Sequence, residues 1–461
     1  MSAAAFSAGT PRAISLAEAS RTWARVALLS FGGPAGQIAV MHRILVDEKR
    51  WIGEERFLHA LNFCMLLPGP EAQQLATYIG WLMHGTRGGL VAGSLFVLPG
   101  FLAIMAFSIL YVTLGYHPVV AGVFLGLKAA VVALIIQAVL RIGRRALRSE
   151  LAVTVAGLAF VAIFVFHVPF PLIIIAAGMF GYLWTRAGRA QFLHAGDSSA
   201  QDRASLGVHE SNEVMLTEVK PSARRALTLL GIWLPLWLAP VAGLAIALGP
   251  EHVFTQVGVF FSKMAVVTFG GAYAVLAYVA QAAQQHAWVT PTQMLDGLGL
   301  AESTPGPLIM VVQFVGFLAA YQTPGIAQPL LAGAFAACLT VWVTFVPCFL
   351  WIFLGAPYVE RLRRNSALSG ALAAITAAVV GVIVNLALWF ALHAVFAHVD
   401  TRQWLGFMNF DVPQLASVRW SLLFLIVLAN VLTFGLKWNV ARTLAICAAV
   451  GIGLTLWQPS G

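Results

Sequence analysis

Long runs of apolar residues predict helices that cross a membrane. A spanning helix needs about 20 mostly apolar residues, and runs of that length lie at 88–115, 119–140, 331–354, 367–392 and 417–434. Residues 187–222, by contrast, are mostly polar and too few to bury a core of their own. We therefore predict an N-terminal membrane repeat at 1–186, a cytoplasmic linker at 187–224 and a C-terminal membrane repeat at 225–461.

Composition agrees with this class. Of 461 residues, 60% are hydrophobic and 10% are charged, whereas soluble domains are nearer one quarter charged. The mean hydropathy of +0.85 excludes an ordinary soluble enzyme. Residues 1–20 are polar, so we expect no removable signal peptide. The four cysteines lie in apolar segments without metal-ligand spacing, and we predict no disulfide, no metal site and no cofactor.

Short motifs recur in the same order in both halves and indicate a duplication. Matches separated by a nearly constant distance are typical of internal repeats. The glycine and tryptophan motifs recur 237 or 238 positions later, and the last motif recurs 248 positions later, after a short insertion. The pairs are Phe31-Gly32-Gly33 with Phe269-Gly270-Gly271, Trp51 with Trp288, Pro68-Gly69-Pro70 with Pro305-Gly306-Pro307, and Ala129-Ala-Val-Val132 with Ala377-Ala-Val-Val380.

The placement of basic residues predicts that the two halves have opposite orientations. Loops rich in Lys and Arg stay on the cytoplasmic side. In the first half the basic clusters are at 43–56 and 141–148, whereas in the second half the loops at 249–251, 284–296 and 322–328 contain no Lys or Arg. This pattern predicts inverted-topology repeats if the glycine-rich segments enter and leave on one side, as re-entrant hairpins. If those segments cross the membrane completely instead, the number of membrane-spanning segments becomes about thirteen.

The Phe-Gly-Gly motifs are candidate substrate-binding elements. Gly32 and Gly33, like Gly270 and Gly271, interrupt an apolar segment and free backbone N–H groups that lipid cannot satisfy. Amides at the start of the following half-helix would attract an anion, and we include Phe31 and Phe269 in the predicted site as part of these motifs. Close packing between helices is the alternative role for such glycines.

The Pro-Gly-Pro motifs must break their helices, because two prolines remove two hydrogen-bond donors. Pro68, Gly69 and Pro70 are followed directly by Glu71, whereas Glu302 precedes Pro305, Gly306 and Pro307 by three residues. A carboxyl group at membrane depth is costly and indicates function, here as a proton carrier. Glu71 could instead cap the helix that starts at Pro70.

Three cations are candidates for holding a dianion. Arg25 and Lys263 each lie six residues before a Phe-Gly-Gly motif, although either side chain could simply extend to the membrane interface. Lys128 is a weaker candidate because its equivalent in the second half is Thr376. Trp51 and Trp288 are predicted to anchor the protein at the interface. The chain has no GxxxxGK[ST], HExxH or GxSxG motif, and we predict a transporter without enzymatic activity.

Longer motifs resemble the bacterial chromate ion transporter family, in its two-domain form. The resemblance covers both membrane halves and leaves out the linker. It rests on Ser30-Phe-Gly-Gly-Pro34, Val46-Asp-Glu-Lys-Arg-Trp51, Asn62-Phe-Cys-Met-Leu-Leu-Pro-Gly-Pro-Glu71, Leu75-Ala-Thr-Tyr-Ile-Gly80, Gly85-Thr-Arg-Gly-Gly89, Phe96-Val-Leu-Pro99, Thr268-Phe-Gly-Gly271 and Ser303-Thr-Pro-Gly-Pro307.

The resemblance implies efflux of chromate across the bacterial inner membrane, which would confer chromate resistance. Sulfate, a dianion of like shape, could compete or be carried. The alternatives are inward transport of sulfate or another oxyanion, an anion channel, and a scaffold without transport. Besides chromate and the lipid bilayer, protons and a second copy in a homodimer are left open as partners. We expect no nucleic acid, because basic cytoplasmic loops account for the net charge of +9.

Overall fold

The computed structural model describes residues 14–189, 222–269, 271–358, 365–404 and 408–457, and its architecture is all-α apart from one hairpin. Six helices within these ranges have the length and hydropathy to cross a membrane. The predicted all-α integral membrane class is therefore confirmed. The central part of the predicted linker, 190–221, and Gly270 lie outside the described residues.

Residues 14–189 contain seven α-helices. Two of them, α4 and α5, are long, and α4 bends where His84 and Gly85 leave helical geometry. The helices are α1 (Leu16–Leu29), α2 (Gly33–His42), α3 (Glu54–Cys64), α4 (Glu71–Leu114), α5 (Pro118–Ala146), α6 (Glu150–Phe164) and α7 (Phe170–Arg186).

The second half begins with α8 (Ala223–Leu248), which corresponds to none of the helices described for the first half. Within the described residues, eight α-helices and a two-stranded antiparallel hairpin follow. They are α9 (Val253–Val267), α10 (Ala272–Gln285), α11 (Pro291–Ser303), α12 (Val311–Tyr321), α13 (Pro329–Gly355), α14 (Ser366–Val395), β1 (Val399–Trp404), β2 (Met408–Pro413), α15 (Trp420–Asn430) and α16 (Val440–Trp457).

Backbone conformation repeats between the halves along with the helices. Four non-glycine residues within the described ranges have positive φ, and they form two equivalent pairs. Arg50 (φ 51°) and Ala287 (φ 53°) are 237 positions apart, and His167 (φ 52°) and Lys437 (φ 53°) are 270 positions apart. Left-handed backbone is uncommon outside glycine, so its recurrence supports the duplication independently of residue identity.

The halves exchange α5 and α14, each of which packs against the last two helices of the other half. Helix α5 of the first half packs against α15 and α16 of the second, and α14 packs against α6 and α7 of the first. Small residues permit this close approach: a methyl group at Gly451 would collide with the carbonyl of Gly122, and one at Gly181 with that of Gly370. These two contacts are equivalent under the repeat, so each half completes the packing of the other.

Helix α8 lies against α9 and α13, where two prolines interrupt its hydrogen-bond ladder. Pro240 has no N–H for the carbonyl of Leu236, four residues earlier. The indole Nε1 of Trp342 on α13 donates to that carbonyl at 2.9 Å. A partner on a neighbouring helix thus satisfies the carbonyl that proline frees, as membrane-embedded prolines require.

Several local predictions were wrong. The predicted loop at 284–296 is helical from Pro291, which places Asp296 on α11 with a buried side chain. The predicted loop at 43–56 begins with a π-helical segment, Arg43–Glu48, that continues α2. Trp51 and Trp288 are both buried in the protein core, at 6% and 5% exposed, so neither side chain can act as a lipid-facing anchor.

The segments around the predicted re-entrant hairpins are short. Helix α1 has 14 residues, or about 21 Å at 1.5 Å per residue, against a hydrocarbon core of about 30 Å. Helices α2 and α3 have 10 and 11 residues. Such lengths are compatible with re-entrant hairpins, and both the hairpins and the inverted orientation stay predictions.

Candidate functional site

The two Phe-Gly-Gly breaks interrupt their helices at equivalent points. Helix α1 ends at Leu29 and α2 begins at Gly33, with Gly32 and Gly33 at φ +80° and +75°. In the second half α9 ends at Val267, α10 begins at Ala272, and Gly271 has φ +92°. Glycine adopts this left-handed backbone without the strain a side chain would add.

Each Pro-Gly-Pro break is hydrogen-bonded to the Phe-Gly-Gly break of the other half. The N–H of Gly69 donates to the carbonyl of Thr268, the residue before Phe269, at 2.9 Å. The N–H of Gly306 donates to the carbonyl of Ser30, the residue before Phe31, also at 2.9 Å. The structure therefore brings all four predicted motifs together at one centre.

Two buried glutamines hold the breaks in place. Gln37 on α2 donates its amide to the carbonyl of Gly306 at 2.7 Å, and Gln74 on α4 donates to the carbonyl of Pro68 at 2.7 Å. Gly306 is thus bonded through both its N–H and its C=O to the first half. These bonds supply partners for backbone groups that lipid could not satisfy.

Close packing around Gly69 and Gly306 leaves no room for a side chain. A methyl group at Gly306 would lie 3.1 Å from the Cα of Gly100, and one at Gly69 would lie 2.9 Å from the Sγ of Cys348. Gly100 and Cys348 occupy equivalent positions, directly after Pro99 and Pro347 inside α4 and α13. The long helices α4 and α13 thus support the breaks from equivalent sides.

Both predicted carboxyl groups lie at this centre. Glu71 is in the first turn of α4, with a carboxylate oxygen 3.5 Å from the position of a methyl group at Gly271. Glu302, only 4% exposed, accepts a hydrogen bond of 2.8 Å from the hydroxyl of Tyr273. That hydroxyl is 3.8 Å from the position of a methyl group at Gly33. Sequence reasoning missed Tyr273, although it follows the second glycine pair by two residues.

Helix starts converge on the same centre. Helices α2, α4 and α10 and the 3-10 turn that precedes α12 begin at Gly33, Glu71, Ala272 and Leu308, respectively, each directly after or within a break. The first N–H groups of a helix have no intrahelical acceptor and carry partial positive charge. The arrangement can therefore donate hydrogen bonds to an anion, with two carboxyl groups available to carry protons.

The predicted cations Arg25 and Lys263 are exposed, unlike the largely buried Pro-Gly-Pro breaks. Arg25 is exposed and forms a 2.9 Å ion pair with Glu48, and Lys263 on α9 is also exposed. Within the described residues, no hydrogen bond or ion pair joins either side chain to the four motifs. Their role in substrate binding stays a prediction.

The weaker candidate Lys128 belongs to a second buried cluster. Its ammonium is 3.2 Å from a carboxylate oxygen of Asp296 on α11, and the hydroxyl of Tyr111 on α4 donates to the other oxygen at 3.0 Å. The cluster joins the two halves. The repeat equivalent of Lys128 is Thr376, which has no charge, so the Lys–Asp ion pair is not repeated at that position.

Comparison with known proteins gives the family. The sequence profile described as "Chromate transporter" matches residues 17–182 and 255–454, which begin in α1 and α9 and end in α7 and α16. The chain belongs to the chromate transporter family. The profile leaves out the linker and α8, the elements without an equivalent in the repeat.

Two relatives of similar length are named as chromate transport proteins, and a shorter relative is an uncharacterized transporter. The chain is 34% identical to a "Chromate transport protein" of Pseudomonas aeruginosa over 361 residues, covering 77% of this chain and 76% of the relative. It is 28% identical to a protein of the same name from Cupriavidus metallidurans, with 78% of each chain covered. An uncharacterized transporter of Bacillus subtilis matches with 26% identity over 34% of this chain and 89% of its own length. No solved structure matches the chain.

Proposed function

We propose that this protein exports chromate from the bacterial cytoplasm across the inner membrane and thereby confers chromate resistance. Family membership supports chromate as the cargo. The observation that carries the proposal is the pair of reciprocal bonds, Gly69 to Thr268 and Gly306 to Ser30, which unites four breaks from two halves at one centre. Helix N-termini at these breaks supply donors for a tetrahedral oxyanion.

Charge alone would drive export. With the cytoplasm about 100 mV negative, moving two negative charges outward is downhill by about 4.6 kcal/mol. This free energy corresponds to a concentration ratio of about 2,000, since each 1.4 kcal/mol is a factor of ten. No nucleotide hydrolysis is required for such a gradient.

Proton exchange would act through Glu71 and Glu302. Exchange requires that the centre holds either the dianion or the protons, but not both. Glu71 and Glu302 would then take up protons from outside only after the dianion has left, and would release them to the cytoplasm before the next dianion binds. Tyr273, which donates to Glu302, would keep that carboxyl oriented toward Gly33.

Alternating access would move the two halves about the shared centre. In inverted-repeat transporters, one repeat rocks against the other around a site near the bilayer midplane. The exchange of α5 and α14 between the halves supports such a motion, since each half carries a helix that packs on its partner. Inward transport of sulfate and passive conduction through a channel are the competing functions.

Chromate flux in inverted vesicles tests the proposal. Labelled chromate should accumulate inside vesicles energised interior-positive, with saturation, and collapse of the potential should abolish accumulation. A pH gradient should stimulate the flux, and Glu302→Gln should lose that stimulation, whereas Glu251→Gln, in the exposed turn before α9, should retain it.

Other outcomes would separate the competing functions. Absence of chromate accumulation in the wild-type vesicles would overturn the export proposal. Flux that rises without saturation would indicate a channel. Accumulation of sulfate in right-side-out vesicles, with no chromate flux in either orientation, would indicate sulfate uptake.

A further inference from the structure

A buried ion pair joins the two halves away from the four breaks. The ammonium of Lys128 on α5 lies 3.2 Å from a carboxylate oxygen of Asp296 on α11, and these side chains are only 16% and 3% exposed. The hydroxyl of Tyr111 on α4 donates to the other carboxylate oxygen at 3.0 Å. Asp296 belongs to the second half, yet two helices of the first half hold its carboxylate.

Aromatic rings pack around this pair. The ring of Tyr111 makes edge contacts with Phe124 on α5 and Phe314 on α12, with centroids 4.9 Å and 5.2 Å apart. Phe314 in turn lies directly against Gly297 of α11, where an added methyl group would collide with the ring. The ion pair and the three rings thus form one layer, in which side chains from both halves contact each other.

The layer lies to one side of the centre. On α11, Asp296 is six residues before Glu302, or about 9 Å along the helix axis. On α4, Tyr111 is eleven residues after Gly100, which packs against the second Pro-Gly-Pro break, or about 16 Å along the axis. The layer therefore separates the centre from the ends of these helices.

The helix ends beyond the layer are predicted to face the outside. Residues 115–117 join α4 to α5, and residues 286–290 precede α11. Neither segment contains Lys or Arg, and loops that lack these residues are typical of the external side. The ion pair would then lie between the centre and the outside.

The repeat does not reproduce this layer at the equivalent positions. The repeat equivalent of Phe124 is Leu372, 248 positions later. The equivalent of Lys128 is Thr376, whose hydroxyl donates to the carbonyl of Leu372 on its own helix at 2.8 Å. Neither the charge nor the aromatic ring recurs there, so the two sides of the centre differ in chemistry.

We propose that Lys128, Asp296 and Tyr111 form the external gate of this transporter. Movement of α4 and α5 away from α11 would break the ion pair and the Tyr111 hydrogen bond together, and would connect the centre with the outside. The role of the gate in anion release rests on the proposed export function, whereas the contacts that close it involve no cargo.

An ion pair suits a gate because its charges have partners in both states. In the closed state they neutralise each other inside the protein, and in the open state water solvates each of them. Their attraction weakens as soon as water enters, since the effective dielectric constant rises. The gate therefore favours a closed, dry state or an open, wet state over anything between them. Once open, Lys128 places a cation on the exit path of the dianion.

The reactivity of Cys348 tests the gate without any cargo. Cys348 is fully buried and packs against Gly69 at the centre. With Cys64, Cys338 and Cys447 replaced by alanine in the full-length chain, Cys348 is the thiol that remains. Its labelling by a membrane-impermeant, anionic methanethiosulfonate reports access from outside in right-side-out vesicles and from the cytoplasm in inverted vesicles.

Asp296→Asn should open the gate. The substitution preserves the shape of the side chain but leaves the Lys128 ammonium without its counter-charge in the closed state, a cost that hydration relieves in the open state. We expect labelling of Cys348 from outside to rise by roughly tenfold or more. Labelling from the cytoplasm should not rise.

Three further variants distinguish a gate from a loosened fold. Tyr111→Phe removes the hydrogen bond to Asp296 but keeps the aromatic ring, so labelling from outside should rise by about threefold or more. Exchange of the charges, in Lys128→Asp with Asp296→Lys, should restore slow labelling because it restores the attraction across the same interface. Glu18→Gln is the matched control: its ion pair with Lys49 lies within the first half, and labelling should equal that of wild type.

The outcomes decide the gate separately from the cargo. Unchanged labelling from outside in folded Asp296→Asn and Tyr111→Phe would overturn the gate, and so would an equal rise from both sides. A rise from the cytoplasm alone would overturn its external position. If Asp296→Asn gives no folded protein by size-exclusion chromatography, Tyr111→Phe decides. A wild-type protein without chromate flux would overturn the export proposal, while the labelling would still decide the gate.

Discussion

Removal of the cation from the buried Lys128–Asp296 pair should strongly destabilise the protein. The ammonium and carboxylate are 3.2 Å apart, and their side chains are 16% and 3% exposed. At an effective dielectric constant of about 20, their attraction is about 5 kcal/mol. Lys128→Met leaves the Asp296 carboxylate buried without its cation, and breaking such pairs costs about 3–5 kcal/mol. We expect the free energy of unfolding to fall by that amount.

The assay uses thiols that the fold conceals. Cys64, Cys348 and Cys447 are fully buried, whereas Cys338 is exposed and supplies a constant baseline. Reaction of the buried thiols with a maleimide dye during denaturant titration in detergent reports unfolding. The matched control is Arg25→Met, which breaks an exposed pair with Glu48 and should cost no more than about 1 kcal/mol.

A double variant decides whether loss of the Lys128–Asp296 ion pair itself causes the fall in the free energy of unfolding. Replacing both partners by apolar residues, Lys128→Met with Asp296→Leu, leaves no unpaired charge and should be closer to wild type than Lys128→Met alone. Only the hydroxyl of Tyr111 then loses an acceptor. Additive costs of the two single substitutions would refute the reasoning, because they would show that the two groups do not stabilise each other.

Two further predictions concern the centre and the orientation of the halves. Gly306→Ala should lower the yield of folded protein and abolish chromate flux. The residue has φ +104°, and an added methyl group would lie 3.1 Å from the backbone of Gly100, so a side chain is excluded. The control is Gly231→Ala in α8, where an added methyl group meets open space, and it should behave as wild type in both measurements. Cysteines introduced at the exposed equivalents Arg50 and Ala287 should react with a membrane-impermeant maleimide from opposite sides of the membrane. Labelling of both from one side would contradict the inverted orientation.

Much of the architecture follows from local sequence because its physical cause is local. Apolar runs of sufficient length must avoid water, which predicts the long helices α5, α13 and α14 wherever such runs occur. Two prolines around a glycine cannot continue a helix in any surroundings, so the breaks at Gly69 and Gly306 were predictable. The equality of motif spacing then revealed the duplication.

Local sequence misplaced residues whose environment depends on distant segments. Asp296 follows a polar stretch without basic residues and was predicted in an external loop, yet α5 and α11 bury it beside Lys128. Trp51 and Trp288 are amphipathic side chains suited to an interface, but both are buried in the core of the folded protein. Burial is a property of what lies opposite a side chain, which spacing along the chain does not specify.

The sequence by itself therefore determined the membrane class, the repeat, the family resemblance and the glycines and carboxyl groups of the candidate site. Tertiary structure alone decided how the halves pair: Gly69 with Thr268, Gly306 with Ser30, and α5 and α14 exchanged between repeats. It also decided that Lys128 pairs with Asp296 and that Arg25 pairs with Glu48. Hydrogen bonds and charges act across distances of a few ångströms, and only the folded chain brings residues 199 and 276 positions apart, such as Gly69 with Thr268 and Gly306 with Ser30, within that range.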